Sequence, residues 1–245
     1  MTSAACFATL LHYHGSPIVH AIPSLQVRQV LMGLAMALTA ISIIYSPWGQ
    51  RSGAHINPAV TLTYLRLGRI EAWDAAWYII SQFLGAIVGV YFSALLLGEP
   101  FTGTEIAYAV TVPGPWGAKW AFLAEMSMSF FLMSIILQVS NRQNMAKYTG
   151  LLAGVAIFIF ITFEAPVSGM SINPARTVGS GVAAHVFNSW WVYFTAPIIG
   201  MLSAAEFYLF LRGPDSILCA KLQHGKNQPC LFKKCKFKEA MKKNM

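Results

Sequence analysis

Two tripeptides in the 245-residue chain, Asn57-Pro58-Ala59 and Asn173-Pro174-Ala175, combine residue types that can act on a passing molecule. Asn is a preferred helix N-cap, and Pro, with its fixed φ and missing N–H, suits the first turn that follows. Each box therefore predicts a helix start whose first backbone N–H groups lack partners and whose end carries a fractional positive charge. The Asn amides add side-chain donors at the same point. A water or hydroxyl oxygen held by two such donors is turned so that it cannot readily relay a proton, and two positive helix ends oppose cations. After the second box comes Arg176, where the first box is followed by Val60.

The boxes belong to longer matching segments, 52–68 and 168–184. In register, Ser52 meets Ser168, Gly53 meets Gly169, Ile56 meets Ile172 and Thr61 meets Thr177, with the copies nearly half the chain apart. This is an internal repeat. Each box opens about ten small or apolar residues, and ten helical residues rise about 15 Å, half a bilayer core. Three apolar spans separate the copies, and an odd number of crossings inverts one copy against the other. The two half-helices are then expected to meet near the midplane, where unpaired backbone is tolerated only inside protein or beside a water-filled cavity. An Arg at that depth is costly and rarely lacks a role. Arg176 is therefore read as a pore-lining selectivity residue in preference to a tie between loop carbonyls.

The rest of the chain must hold these half-helices. Hydrophobic residues make up 56% and charged residues 11%, against about 25% charged in soluble domains. Spans are expected over 27–45, 73–97, 120–139, 148–163 and 190–211, the last opening on aromatics and closing on Arg212-Gly213-Pro214. Gly85 and Gly89 have the GxxxG spacing of a close helix contact. Residues 1–11 are apolar but too short to span, so either the sequence begins inside the first of six spans, which then lacks its outer part, or the amino end is abnormal. The net charge of +8 comes largely from the end of the chain: nine of the 17 basic residues lie at or after Arg212. That asymmetry follows the positive-inside rule. These lysines are not read as a nucleic-acid platform with base-stacking aromatics, so no nucleic-acid partner is expected. Arg51, Arg66 and Arg69 place the first copy on the cytoplasmic side, and the loop with Glu99 and Glu105 outside.

The boxes HINPAV and SINPAR, the six-span pattern and the inverted repeat resemble the aquaporin (major intrinsic protein) family over essentially the whole chain. The stretches EAPVSGMSINPAR and GLAMALTAISIIYSPWGQRSGAHINPAV are most similar to bacterial members. The resemblance implies an all-α membrane protein, an inverted-repeat bundle of six transmembrane helices plus two re-entrant half-helices. It implies a passive channel for water and other small neutral solutes that excludes protons and ions. Such a channel has no catalytic residue or cofactor, and sits in the plasma or inner membrane as a homotetramer. It further implies a filter of Arg176, Ile161 (where water-selective members carry His), Met170, and Met32 or Val30. Thr177 in place of Asp, and Tyr193-Phe194 in place of Pro-Leu, favour water over glycerol. Ile161 removes a polar ligand and favours other neutral solutes such as glycerol, urea or ammonia. A non-conducting membrane protein of the same fold is the rival from another class. Glu125, in mid-helix, is expected to accept bonds from loop N–H groups; its counterpart in the first helix is missing, and Glu164 has no assigned role.

Residues 1–213 are read as one channel domain, with half-repeats at about 1–98 and 119–213, and 214–245 as a basic cytoplasmic tail. The tail's Cys219, His224, Cys230 and Cys235 are metal-ligand types, but their spacing matches no zinc pattern. Ordinary reduced thiols and a polybasic contact with the lipid surface are expected there, with no metal.

Overall fold

The computed structural model describes residues 1–224 and 230–237. Among the described residues eleven α-helices run in order: α1 Thr2–His12, α2 Pro17–Ala21, α3 Leu25–Tyr45, α4 Pro47–Ser52, α5 Pro58–Arg66, α6 Ala72–Leu97, α7 Glu99–Thr102, α8 Ala118–Ser140, α9 Thr149–Ser168, α10 Pro174–Ala184 and α11 Trp190–Arg212. No strand occurs among the described residues.

Five of these helices, α3, α6, α8, α9 and α11, are long and apolar enough to cross a membrane. Six spans were expected. The place of the first is held by α1, whose 11 residues reach about 16 Å, half of a hydrocarbon core of about 30 Å. Its C-terminal end meets the α6–α7 corner, where Tyr13 Oη donates to Glu99 and the His14 N–H donates to Glu105. Its other end lies in mid-bundle, with Met1 Cβ 3.1 Å from where a β-carbon on Gly89 of α6 would stand.

Between apolar helices in a bilayer, association rests on close packing rather than on exclusion of water, so small residues mark the contacts. A β-carbon on Gly200 of α11 would stand 2.2 Å from the Met126 carbonyl oxygen of α8. One on Gly33 of α3 would stand 2.9 Å from the Phe158 carbonyl of α9, and one on Gly179 of α10 2.8 Å from that of Ala86 on α6. Of the Gly85/Gly89 pair only Gly89 meets another helix, at the start of α1. Gly85 lines the central cavity and Gly89 faces Met1, while α6 meets α10 through Ala86 instead.

The repeat is visible in the backbone. Gly53 and Gly169 have φ of 88° and 78°, Ala54 and Met170 of 56° and 47°, and Ile56 and Ile172 of 42° and 47°. Left-handed φ at a β-branched residue costs roughly 1–3 kcal/mol and persists only where surroundings impose it. Here it recurs at the same register position in both copies.

The described part of the tail is not a solvated appendage. Ile217, Cys219, Ala220, Leu222, Phe232 and Phe237 are buried in the same core as Tyr64, Met133, Leu137 and Met201. The Leu218 N–H donates to Asn141 Oδ1 at 2.7 Å, and the Leu222 N–H to the Gly53 carbonyl at 3.2 Å.

Candidate functional site

Each Asn of the two boxes caps its own half-helix and reaches into the other. Asn57 Oδ1 accepts from the Ala59 N–H (2.9 Å), and Asn173 Oδ1 from Ala175 (3.0 Å) and Arg176 (3.4 Å). Asn57 Nδ2 donates to the Ile172 carbonyl at 2.7 Å, and Asn173 Nδ2 to the Ile56 carbonyl at 2.9 Å. An amide nitrogen carries two hydrogens. One from each Asn is spent in this reciprocal lock, and the second is left for another acceptor.

Both Asn side chains line a single cavity of about 990 Å³. Its walls include Met32, Ile161, Met170 and Arg176, and towards the tail His55, Ile136 and Leu222. Val30 is not among the lining residues and is 40% exposed. Two residues along a helix turn the side chain about 200°, so Met32 and Val30 face opposite ways. Arg176 Nη1 is buried and has no hydrogen-bond partner among the described residues. A guanidinium N–H so placed is a strong donor for an oxygen passing through the cavity.

The loop that leads into α10 and Arg176 hangs on Glu125, fully buried on α8. Its carboxylate accepts from Ser168 Oγ (2.7 Å) and from the backbone N–H groups of Ser171 (2.7 Å) and Ile172 (2.5 Å). Ile172 is thus held on both sides, its N–H on the acid and its carbonyl, in the next peptide, on Asn57, so the acid anchors the residue that forms one half of the lock. Glu164 has both carboxylate oxygens buried and unpartnered among the described residues and is not a cavity-lining residue.

His55 was not singled out by the sequence, yet it closes the tail-side end of the cavity. Its Nε2 lies 2.7 Å from the Ala220 carbonyl, which can only accept, so Nε2 carries the proton. That leaves Nδ1 as acceptor, 3.1 Å from Thr61 Oγ1, and the ring stacks between Tyr64 and Phe232. The matching residue of the second repeat is Ser171, whose Oγ lies 2.6 Å from Thr177 Oγ1. Gln29 is another lining residue missed in the sequence; its amide donates to the Ile161 carbonyl across α3 and α9 at 2.7 Å. Tyr193 and Phe194 do not line the cavity. Tyr193 is buried and donates to the Ser168 carbonyl, and Phe194 stacks on Phe83 and Trp190.

In the tail the four metal-ligand types come together: one ligand atom from each of Cys219, His224, Cys230 and Cys235 lies within 4.8 Å of all the others.

The profile of the Major intrinsic protein family matches residues 3–208. A probable NIP-type aquaporin of Nicotiana alata is 38% identical over 172 residues, covering 69% of this chain and 62% of the relative. Aquaporin NIP2-3 of Zea mays is 32% identical over 210 residues, covering 84% of this chain and 67% of the relative. The chain thus spans about two thirds or less of the length of these curated relatives. The X-ray structure of the aquaglyceroporin from Plasmodium falciparum superposes with a TM-score of 0.70 at 21% identity, over 88% of this chain and 92% of that one. At that identity the likeness shows the fold. The relatives named here are plant proteins and lend no support to the expected bacterial likeness.

Proposed function

Because this chain belongs to the major intrinsic protein family, we propose that it is a passive transmembrane channel for water and other small neutral solutes that excludes protons and ions. The observation that carries the reading is the donor set in one cavity: the spare amide hydrogens of Asn57 and Asn173 and the unpartnered Nη1 of Arg176. A hydroxyl or water oxygen meets the cation first and then two convergent donors, and each helix end repels a cation. Met32, Ile161 and Met170 give the filter beside Arg176 apolar walls, which suits neutral solutes besides water. Charged solutes find no counter-ligand there to replace their hydration.

We place the chain as a multi-pass protein in the cell membrane, with the tail on the cytoplasmic side. Clustered Lys and Arg at that end support this orientation. A homotetramer fits the broad apolar surface left open on α6, where Leu84, Val88, Phe92 and Leu95 are exposed; cross-linking in native membranes tests it. The decisive experiment is stopped-flow swelling of proteoliposomes with water, glycerol, urea and ammonia as permeants. Rates no faster than bare lipid for all four would sink the channel. In the same assay, Arg176→Ala is expected to admit larger or charged solutes, and an unchanged solute profile would remove Arg176 from the filter.

A further inference from the structure

We propose that Cys219, His224, Cys230 and Cys235 form a tetrahedral Zn²⁺ site that fastens the tail across the tail-side mouth of the cavity. Cys219 Sγ and Cys230 Sγ are 3.5 Å apart, Cys235 Sγ and His224 Nε2 are 3.5 Å apart, and all four ligand atoms fall within 4.8 Å of one another. Zinc bonds of about 2.3 Å to sulfur and about 2.0 Å to nitrogen set tetrahedral edges of about 3.5–3.8 Å. The four atoms therefore need to move little to share one ion. Three thiolates and an imidazole match structural zinc and leave no open position for substrate chemistry. Binding displaces the thiol protons to solvent.

The surroundings orient the ligands. The imidazole of His224 lies flat on Phe237, with ring centroids 4.0 Å apart and planes 5° apart. The Cys235 N–H donates to the Phe232 carbonyl, and the Lys236 N–H returns to the Leu218 carbonyl beside Cys219. A disulfide between Cys219 and Cys230 would use two of the four groups and leave the convergence of Cys235 and His224 without a purpose.

The segment that the ion would hold is the one that touches the channel. Between Cys219 and His224 lie Ala220, whose carbonyl accepts the hydrogen bond from His55 Nε2, and Leu222, which lines the cavity. Between Cys230 and Cys235 lies Phe232, stacked on His55. Releasing the ion frees both strands of this clasp.

The test uses the full-length chain purified in detergent without chelator and without added metal. Elemental analysis is expected to find about one zinc per chain, lost in Cys230→Ser and Cys235→Ser. Replacement by Co²⁺ should give thiolate-to-cobalt charge transfer and tetrahedral d–d absorption. Stripping zinc from the unmutated chain should open tryptic cleavage after Lys221, which is buried at 2% exposure. A chain that holds no zinc and gives no tetrahedral cobalt spectrum would overturn the site, as would a Cys219–Cys230 disulfide found in chain handled under reducing conditions. Zinc loss that leaves Lys221 fully protected would overturn the fastening. Should the Ser variants fail to fold, the metal content, cobalt spectrum and proteolysis of the unmutated chain still decide. None of these readouts requires solute flux, so they stand or fall apart from the channel reading.

Discussion

Replacing Glu125 by Gln changes one oxygen to an NH₂ group and almost nothing in volume. The Gln carbonyl can keep the side of Ser168 and Ser171, where two donors converge. Its NH₂ then faces the Ile172 N–H, donor against donor, where the carboxylate had accepted. Losing that bond and leaving the buried N–H unsatisfied costs about 1–3 kcal/mol, and the repulsion raises the total to roughly 2–4 kcal/mol. At about 2–4 °C per kcal/mol for a chain of this size, the unfolding midpoint should fall by several degrees or more. The functional effect travels further than the thermal one. Relief of that clash turns the 171–172 peptide and with it the φ of Ile172, which shifts the next peptide, whose carbonyl is the acceptor for Asn57. Water flux per channel in proteoliposomes should therefore fall for Glu125→Gln although residue 125 does not line the cavity. A variant with an unshifted midpoint and full flux would refute the chain of hydrogen bonds from acid to lock. A shifted midpoint with full flux would refute its reach to Asn57.

Gly200→Val puts carbon 2.2 Å from the Met126 carbonyl oxygen, so α8 and α11 must separate; size-exclusion profiles should show aggregated chain, and a monodisperse variant of ordinary stability would contradict the packing. His55→Phe keeps the ring stack on Tyr64 and Phe232 but strips the Ala220 carbonyl of its donor. A loss of about 1–3 kcal/mol is expected, with easier tryptic cleavage after Lys221; no change in either would take His55 out of tail docking.

The spans were legible because their signal is compositional and local. The stretch expected at 73–97 is α6, Ala72–Leu97, and that expected at 190–211 is α11, Trp190–Arg212. The helix expected to end at 163 runs to Ser168, through Pro166. A proline near a helix end reads as a stop, but here the missing N–H is tolerated one turn before the cap, and the Val167 carbonyl is taken by the Gly114 N–H from a loop more than 50 residues away. The half-helices were legible for a different reason, since Asn-Pro sets cap and first turn together. What escaped was whatever depends on distant partners. Met32 and Val30 could be separated only once the orientation of α3 was known. His55 and Gln29 are ordinary polar residues until Ala220 and the Ile161 carbonyl are brought to them. The tail cysteines and histidine have no informative spacing because Asn141, Gly53 and His55, not the tail itself, fold the segment that gathers them.

The crossed bonds of Asn57 and Asn173 have a thermodynamic corollary. Each loop supplies both the donor to, and the acceptor from, its opposite copy, so the free energy by which one loop orders the other equals the free energy returned. A change that breaks either crossed bond therefore weakens the ordering of both loops. The caps of the two half-helices are local, but the ordering of the two loops is shared between the duplicated halves.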